Sequence, residues 1–241
     1  ADLAGKGEGW FLDQPGNPLD PGCDYETFFR QRSAGIAPTV YARVATDPEH
    51  PDKLALQYWF FYSYNDWNDK HEGDWEMVQV VLPAATPERA LQVQPEAVAY
   101  AQHEGSQVAT WGSRGLTTVG DHPVVYPGEG SHAAHYAQET WFGKSAQAGF
   151  GCDSTVAPGV RLEPVVGVLP SGGTPPTTGE FAWLSNTGRW GQQAPSFNNG
   201  PTGPATKTQW DSPITWMQDE GRSSAVAPPP VPSPRCGRSA R

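Results

Sequence analysis

One stretch constrains the fold more than any other. Residues 54–64 read LALQYWFFYSY, eleven residues dominated by aromatic and aliphatic side chains, with neither Gly nor Pro among them. A run of this length and composition predicts a long, central β-strand. After a polar loop, NDWNDKHEG, comes DWEMVQVVL, which predicts a second strand. Strand signals then recur every ten to twenty residues along the chain, which favours an antiparallel sandwich.

The composition supports the same class. The 241 residues include 27 Gly, 25 Pro and 10 Trp, while charged residues make up 17%. Such a chain suits short strands and turns rather than a helical bundle. TVYARVAT (39–46) alternates as a half-buried strand does, and EAVAYAQH, HPVVY and LEPVVGVL predict further strands. DYETFFRQRSA suits a short helix, TPERALQV a short helix or an irregular crossing, QETWFGKSA a helical turn, and FAWLSNTGRWGQ a hairpin. No βαβ rhythm and no internal repeat is visible. The expected fold is all-β, an antiparallel β-sandwich with long loops and a few short helices. Residues 1–37 form a Gly/Pro-rich extension packed on the domain, 38–221 the sandwich, and 222–241 a disordered Pro/Arg tail.

A net charge of −10 argues against nucleic acid as a partner, since phosphate neutralisation needs Lys and Arg. It also disfavours an anionic membrane unless a bound cation bridges the two. No run approaches the roughly 18 apolar residues of a membrane-spanning helix. No signal peptide is visible, and a start at Ala1 reads as a processed or excised chain. Cys23 and Cys152 lie in matching contexts, GCDYE and GCDST, which predicts that they pair and leave Cys236 over; the alternative is three unpaired thiols. A disulfide would place the chain outside the cytoplasm.

The candidate chemistry sits in HEGDWE, residues 71–76. In a strand, residues two apart share a face, so Asp74 and Glu76 project together while Trp75 and Met77 point the other way, continuing a core-facing row with Gln79 and Val81 or packing beneath an edge. Gly73 lets the chain bend so that His71 joins them, and Asp66 lies on the preceding loop. Two close carboxylates need a proton, a basic partner or a metal. Oxygen-rich donors with one imidazole suit Mg²⁺, Ca²⁺ or Mn²⁺ better than a structural zinc. The same groups could form an acid/base pair or a solvated polar turn. His103, His122, His132 and His135 all flank strand candidates and, with Trp67, are pocket candidates at one rim of the sandwich. Trp67, Trp111 and Trp141 are candidates for stacking on sugars or entering an interface.

Several of these blocks, in order, resemble a known family. LQYWFFYSYNDWNDKHEGDWEMVQVVL, EAVAYAQHEG and HPVVYPGEGSHAAHY, with GFGCDST, GRWG and GPTGPATKTQW, are similar to the vacuolar protein sorting-associated protein 62 family from about Thr39 to Trp216. Less closely, they resemble the necrosis- and ethylene-inducing peptide-like proteins, secreted cytolysins with an antiparallel β-sandwich and the hallmark Gly-His-Arg-His-Asp-Trp-Glu. That resemblance implies a divalent cation held by Asp66, His71, Asp74 and Glu76, with His103 near a pocket for sphingolipid sugar headgroups. The chain departs from the hallmark at Lys70, Glu72 and Gly73, so the ligands persist and the basic neighbours do not.

Three functions follow as expectations. One is a cation-dependent binding module for a lipid headgroup or glycan at a membrane surface, of which a cytolysin is one form. The others are a metal-dependent hydrolase and a scaffold with a structural cation. No GxSxG elbow is present, and Ser131 beside His132 is a poor nucleophile–base pair.

Overall fold

The computed structural model describes residues 3–226, apart from 104, 146–148, 157–158, 173, 195–196 and 223–224. The tail from residue 227, with Cys236, therefore lies outside the described residues. In chain order the elements begin with α1 (Asp24–Ser33), β1 (Thr39–Thr46), β2 (Leu54–Asn65), β3 (His71–Leu82) and α2 (Pro87–Ala90). β4 (Ala97–Gln102), β5 (Gly105–Thr110), β6 (Thr118–Val119), β7 (His122–Pro123), β8 (Tyr126–Pro127) and β9 (Ala134–His135) follow. The last are β10 (Thr140–Ser145), β11 (Gly149–Ser154), β12 (Val165–Val168), α3 (Thr208–Asp211), α4 (Pro213–Glu220), β13 (Gly221–Arg222) and β14 (Ala225–Val226).

The chain is mainly β with short helices, as the composition predicts, and consistent with a β-sandwich. A seven-stranded sheet runs β12-β1-β2-β3-β4-β5-β13, and a smaller one runs β11-β10-β14. The large sheet is antiparallel except at its two edges, where β12 joins β1 and β13 joins β5 in parallel. The aromatic run becomes β2, paired with β3 from Leu54 opposite Leu82 to Asn65 opposite His71.

Every residue of β3 is buried, because both of its faces are covered. One face carries Trp75, Met77 and Val81 and packs with Trp59 against Trp190, Trp210, Ile214, Trp216 and Met217. The other carries Val78, Val80 and Leu82, together with Val98, Tyr100 and Ala109, against Leu116 and Ala134. The predicted row of Trp75, Met77, Gln79 and Val81 thus does face a core.

Four local expectations are corrected. His71, Glu72 and Gly73 belong to β3 rather than to the loop, because β2 extends to Asn65 and pairs with His71 and Glu72. QETWFGKSA is a strand, not a helical turn: β10 pairs with β11 along its whole length. The hairpin expected at FAWLSNTGRWGQ is a 3₁₀ turn at Ala182–Ser185 followed by isolated bridges from Arg189 to Phe11 and Thr202. The Cys23–Cys152 pair is not formed: Cys23 is disulfide-bonded and Cys152 is a free thiol. Cys152 faces Phe142 in the β10–β11 hairpin, whereas Cys23 precedes α1, which docks on β2 through a Tyr25–Tyr64 stack at 4.3 Å.

The C-terminal helices are tied to the sheet by Asp47. Its Oδ2 accepts from the N–H of Ile214 (3.0 Å) and Thr215 (2.8 Å), first-turn donors of α4 without intrahelical partners. Oδ1 accepts from the N–H of Glu49. Burial pushes the Asp47 carboxyl up, but the hydrogen bonds from Thr215, Glu49 and Ile214 outweigh it and hold the group below its ordinary value. Its stabilisation is therefore present above about pH 3.9, the carboxyl value of an unfolded chain, and is lost as pH falls through the depressed folded value. Asp47→Ala is expected to cost about 2 kcal/mol in urea unfolding at pH 7, with a smaller difference from the unaltered chain at pH 3.

Candidate metal centre

β3 puts Asp74 and Glu76 on one face, opposite Tyr62 and Phe60 of β2. Their side chains are 3% and 0% exposed. Gly73, with φ +66, makes the approach possible. A Cβ there would lie 2.1 Å from the Trp190 carbonyl oxygen, so no larger residue fits.

Two histidines from other elements complete the cluster. His103 follows β4. Its backbone N–H donates to both Glu76 oxygens (3.1 and 3.2 Å), and its Nδ1 lies 2.8 Å from Glu76 Oε1 and 3.9 Å from Asp74 Oδ1. His132, on the loop before β9, places Nδ1 3.1 Å from Asp74 Oδ2 and stacks on the Tyr62 ring at 4.1 Å. These two histidines, at φ 60 and φ 58, are the non-glycine residues with positive φ among those described. Left-handed backbone is uncommon for a side-chain-bearing residue and concentrates at functional sites.

Ligand atoms of Asp74, Glu76 and His103 all lie within 4.8 Å of one another. Among the described ion pairs, none joins Asp74 or Glu76 to Lys or Arg. Burial and the neighbouring Asp74 charge push the Glu76 carboxyl up to about 7, against the opposing pull of His103. Burial works against charge on His103 too, but Glu76, by charge and hydrogen bond, and then Asp74 raise the imidazole to about 10. Asp74 is held below its usual value: burial opposes, and the His132 hydrogen bond with the charges of His103, His132 and His71 prevails. Lys207, just before α3, adds a weaker positive influence on Glu76. Two buried carboxylates and an imidazole, with protons as the main offset to their charge, are a donor set that a hard divalent cation fits.

The remaining sequence candidates fall in several places. His71 is buried in β3 with Nδ1 2.8 Å from the Gly73 carbonyl oxygen, and its charge reaches Asp74. Asp66 is exposed and pairs with Lys70 Nζ at 2.8 Å, while its N–H donates to Gly130 of the His132 loop. His135 is buried and stacks on Trp141, with Nδ1 3.1 Å from Gln102 Nε2. His122 is exposed on β7. The Trp67 ring lies against Gly151, where a Cβ would come within 1.8 Å of Cζ2. Trp141 is 2% exposed and packs inside, so it offers no stacking surface. Ser131 Oγ is buried without a partner, while the His132 ring is engaged by Asp74.

No protein-family model matches the chain. No curated protein matches it either, so the likeness to the vacuolar family rests on the sequence blocks alone. Solved structures match in part. NLPPya in complex with glucosamine is 19% identical over 41% of this chain and 44% of that one, with a TM-score of 0.34. Necrosis and Ethylene inducing Protein 2 from the causal agent of cocoa's Witches Broom disease is 19% identical over 54% and 50%, with a TM-score of 0.33. The non-toxic HaNLP3 protein is 16% identical over 70% and 64%, with a TM-score of 0.35. The chain spans about half the length of the first two. Likeness this partial decides nothing about the site.

Proposed function

We propose that the chain is a divalent-cation-dependent binding module. Asp74, Glu76 and His103 hold Mg²⁺, Ca²⁺ or Mn²⁺, and the cation engages hydroxyl or anionic oxygens of a lipid headgroup or glycan at a membrane surface. The observation that carries this reading is the convergence of two buried carboxylates and one imidazole with no Lys or Arg paired to them among the described residues. Like charges this close are costly without a counter-ion. The His103 and His132 side chains are 34% and 19% exposed, so the cluster is open to solvent along that side. Through that side a ligand would reach the cation.

The disulfide at Cys23 supports an extracytoplasmic location. Among the described residues no helix is long and apolar enough to cross a membrane, and surface binding requires none. Solved neighbours described in complex with glucosamine and mannosamine suggest probes and nothing more.

Calorimetric titration with Ca²⁺, Mg²⁺ and Mn²⁺ is expected to give one site per chain, with a dissociation constant of about 0.1–1 mM for Ca²⁺, the range of extracellular sites. Phosphatidylcholine vesicles containing a monohexosyl ceramide should then carry the protein upward on flotation with Ca²⁺ and release it with EDTA. No heat with any of the three ions overturns the cation. Cation binding without cation-dependent flotation or glucosamine binding leaves a structural ion and overturns the binding module.

A further inference from the structure

The tryptophan-lined face of the sheet carries two buried glutamines, and a third sits on α3 against it; their hydrogen bonds lead to the cation cluster. Gln57 and Gln79 are cross-strand partners on β2 and β3, and neither is exposed. Gln57 Nε2 donates to Gln79 Oε1 (3.1 Å) and to the backbone carbonyl of Gln209. Gln79 Nε2 donates to the Pro213 carbonyl at 2.9 Å. The Gln57 bond fixes α3 on the sheet, and the Gln79 bond fixes the start of α4. Gln209, itself 3% exposed, turns its side chain the other way: Nε2 donates to the backbone carbonyl of His103 at 3.0 Å.

His103 is thereby held at both of its main-chain polar groups. Its N–H is fixed by Glu76 and its carbonyl by Gln209. With φ at 60, the residue occupies a conformation that needs outside support. Release of the carbonyl would let the backbone relax and swing the imidazole from its 2.8 Å contact with Glu76. A buried amide is costly unless its groups are bonded, and an apolar side chain of similar volume would fill this position without that requirement.

We propose that Gln209 is a positioning residue for the cation centre. From α3 it fixes the His103 carbonyl and so aims the imidazole at the two carboxylates. This rests on the cation reading given above. Gln209 touches no donor atom of the cluster, and nothing in the HEGDWE stretch points to a residue more than a hundred positions downstream.

The test is Mn²⁺ binding by calorimetry, with electron spin-echo detection of imidazole nitrogen coupled to the bound ion, well below the melting temperature of each variant. Gln209→Met keeps the volume and removes the donor. It is expected to lower Mn²⁺ affinity about tenfold and to reduce the nitrogen modulation to the level of His103→Ala. Gln209→Asn, one methylene short, is the milder variant should Met not fold, with the same direction expected. Gln79→Met is the control: it breaks the same amide chain at Pro213, lowers stability, and is expected to leave affinity and modulation unchanged. Unaltered affinity and modulation in the folded Gln209 variants, or equal losses in Gln79→Met, overturn the positioning role alone. Failure of the unaltered chain to bind Mn²⁺ overturns the cation reading and the positioning role with it.

Discussion

Asp74→Asn is expected to weaken Ca²⁺ or Mn²⁺ binding by more than about 100-fold while the protein stays folded. Loss of a partner that merely orients a metal ligand costs 10–100-fold, and in the proposed centre Asp74 would be a direct donor, with one oxygen near His103 and the other near His132. The amide keeps one oxygen to face His132 but carries no charge to attract a cation. Fold is preserved because the side chain's volume is preserved and its burial involves no backbone donor. Retention of affinity within threefold would place the cation elsewhere.

The pH dependence of the same titration has a definite sign. In the cation-free protein Glu76 is protonated below about 7, and His103 keeps its proton to about 10. A cation bound by both must displace those protons. Affinity should therefore rise with pH across the neutral and mildly alkaline range, as the raised Glu76 and His103 groups give up their protons. Titration in two buffers of different ionisation enthalpy measures the protons released. A flat profile from pH 6 to 9 would mean that His103 and Glu76 do not ligate the ion.

Much of this centre is legible in the sequence because a strand has a period of two. That periodicity alone places Asp74 and Glu76 together and Trp75 with Met77 on the opposite face. His103 and His132 are harder to assign. Each flanks a strand, which made it a candidate, but five of six histidines do the same. What singles out these two is a left-handed backbone at each, set by turns whose shape no residue type announces. Asp66 is a candidate by its place before β3, and its carboxylate meets Lys70 four residues on. The short edge strands β13 and β14 are not legible: their partners, β5 and β10, come from distant segments, and local pattern carries no record of them.

Glu72 tests how far adjacency in HEGDWE means shared function. It stands between His71 and Gly73, yet its carboxylate faces away from the cation cluster's histidines and binds three other segments. Oε1 accepts from the Tyr25 hydroxyl of α1 at 2.8 Å, and Oε2 accepts from the N–H of Gln14 (3.1 Å) and of Gln192 (2.9 Å). Gly191 packs so closely that a Cβ there would lie 1.9 Å from the Glu72 carbonyl oxygen. Burial first, then the hydrogen bond and charge of Glu72, push the Tyr25 hydroxyl far above its ordinary value, so Tyr25 stays a donor. One buried anion thus fastens the N-terminal extension and the 191–192 segment to β3. Glu72→Ala removes three charge-assisted bonds and strands their donors, an expected loss of about 3–5 kcal/mol. For a domain of this size that lowers the melting temperature by roughly 10 °C. Glu72→Gln, which keeps one good acceptor, should lose about half as much. Mn²⁺ affinity below the lowered melting temperature is expected to remain within twofold of the unaltered chain, because no Glu72 oxygen reaches the cluster. A parallel fall in affinity would instead join Glu72 to the centre and make the whole of HEGDWE one site.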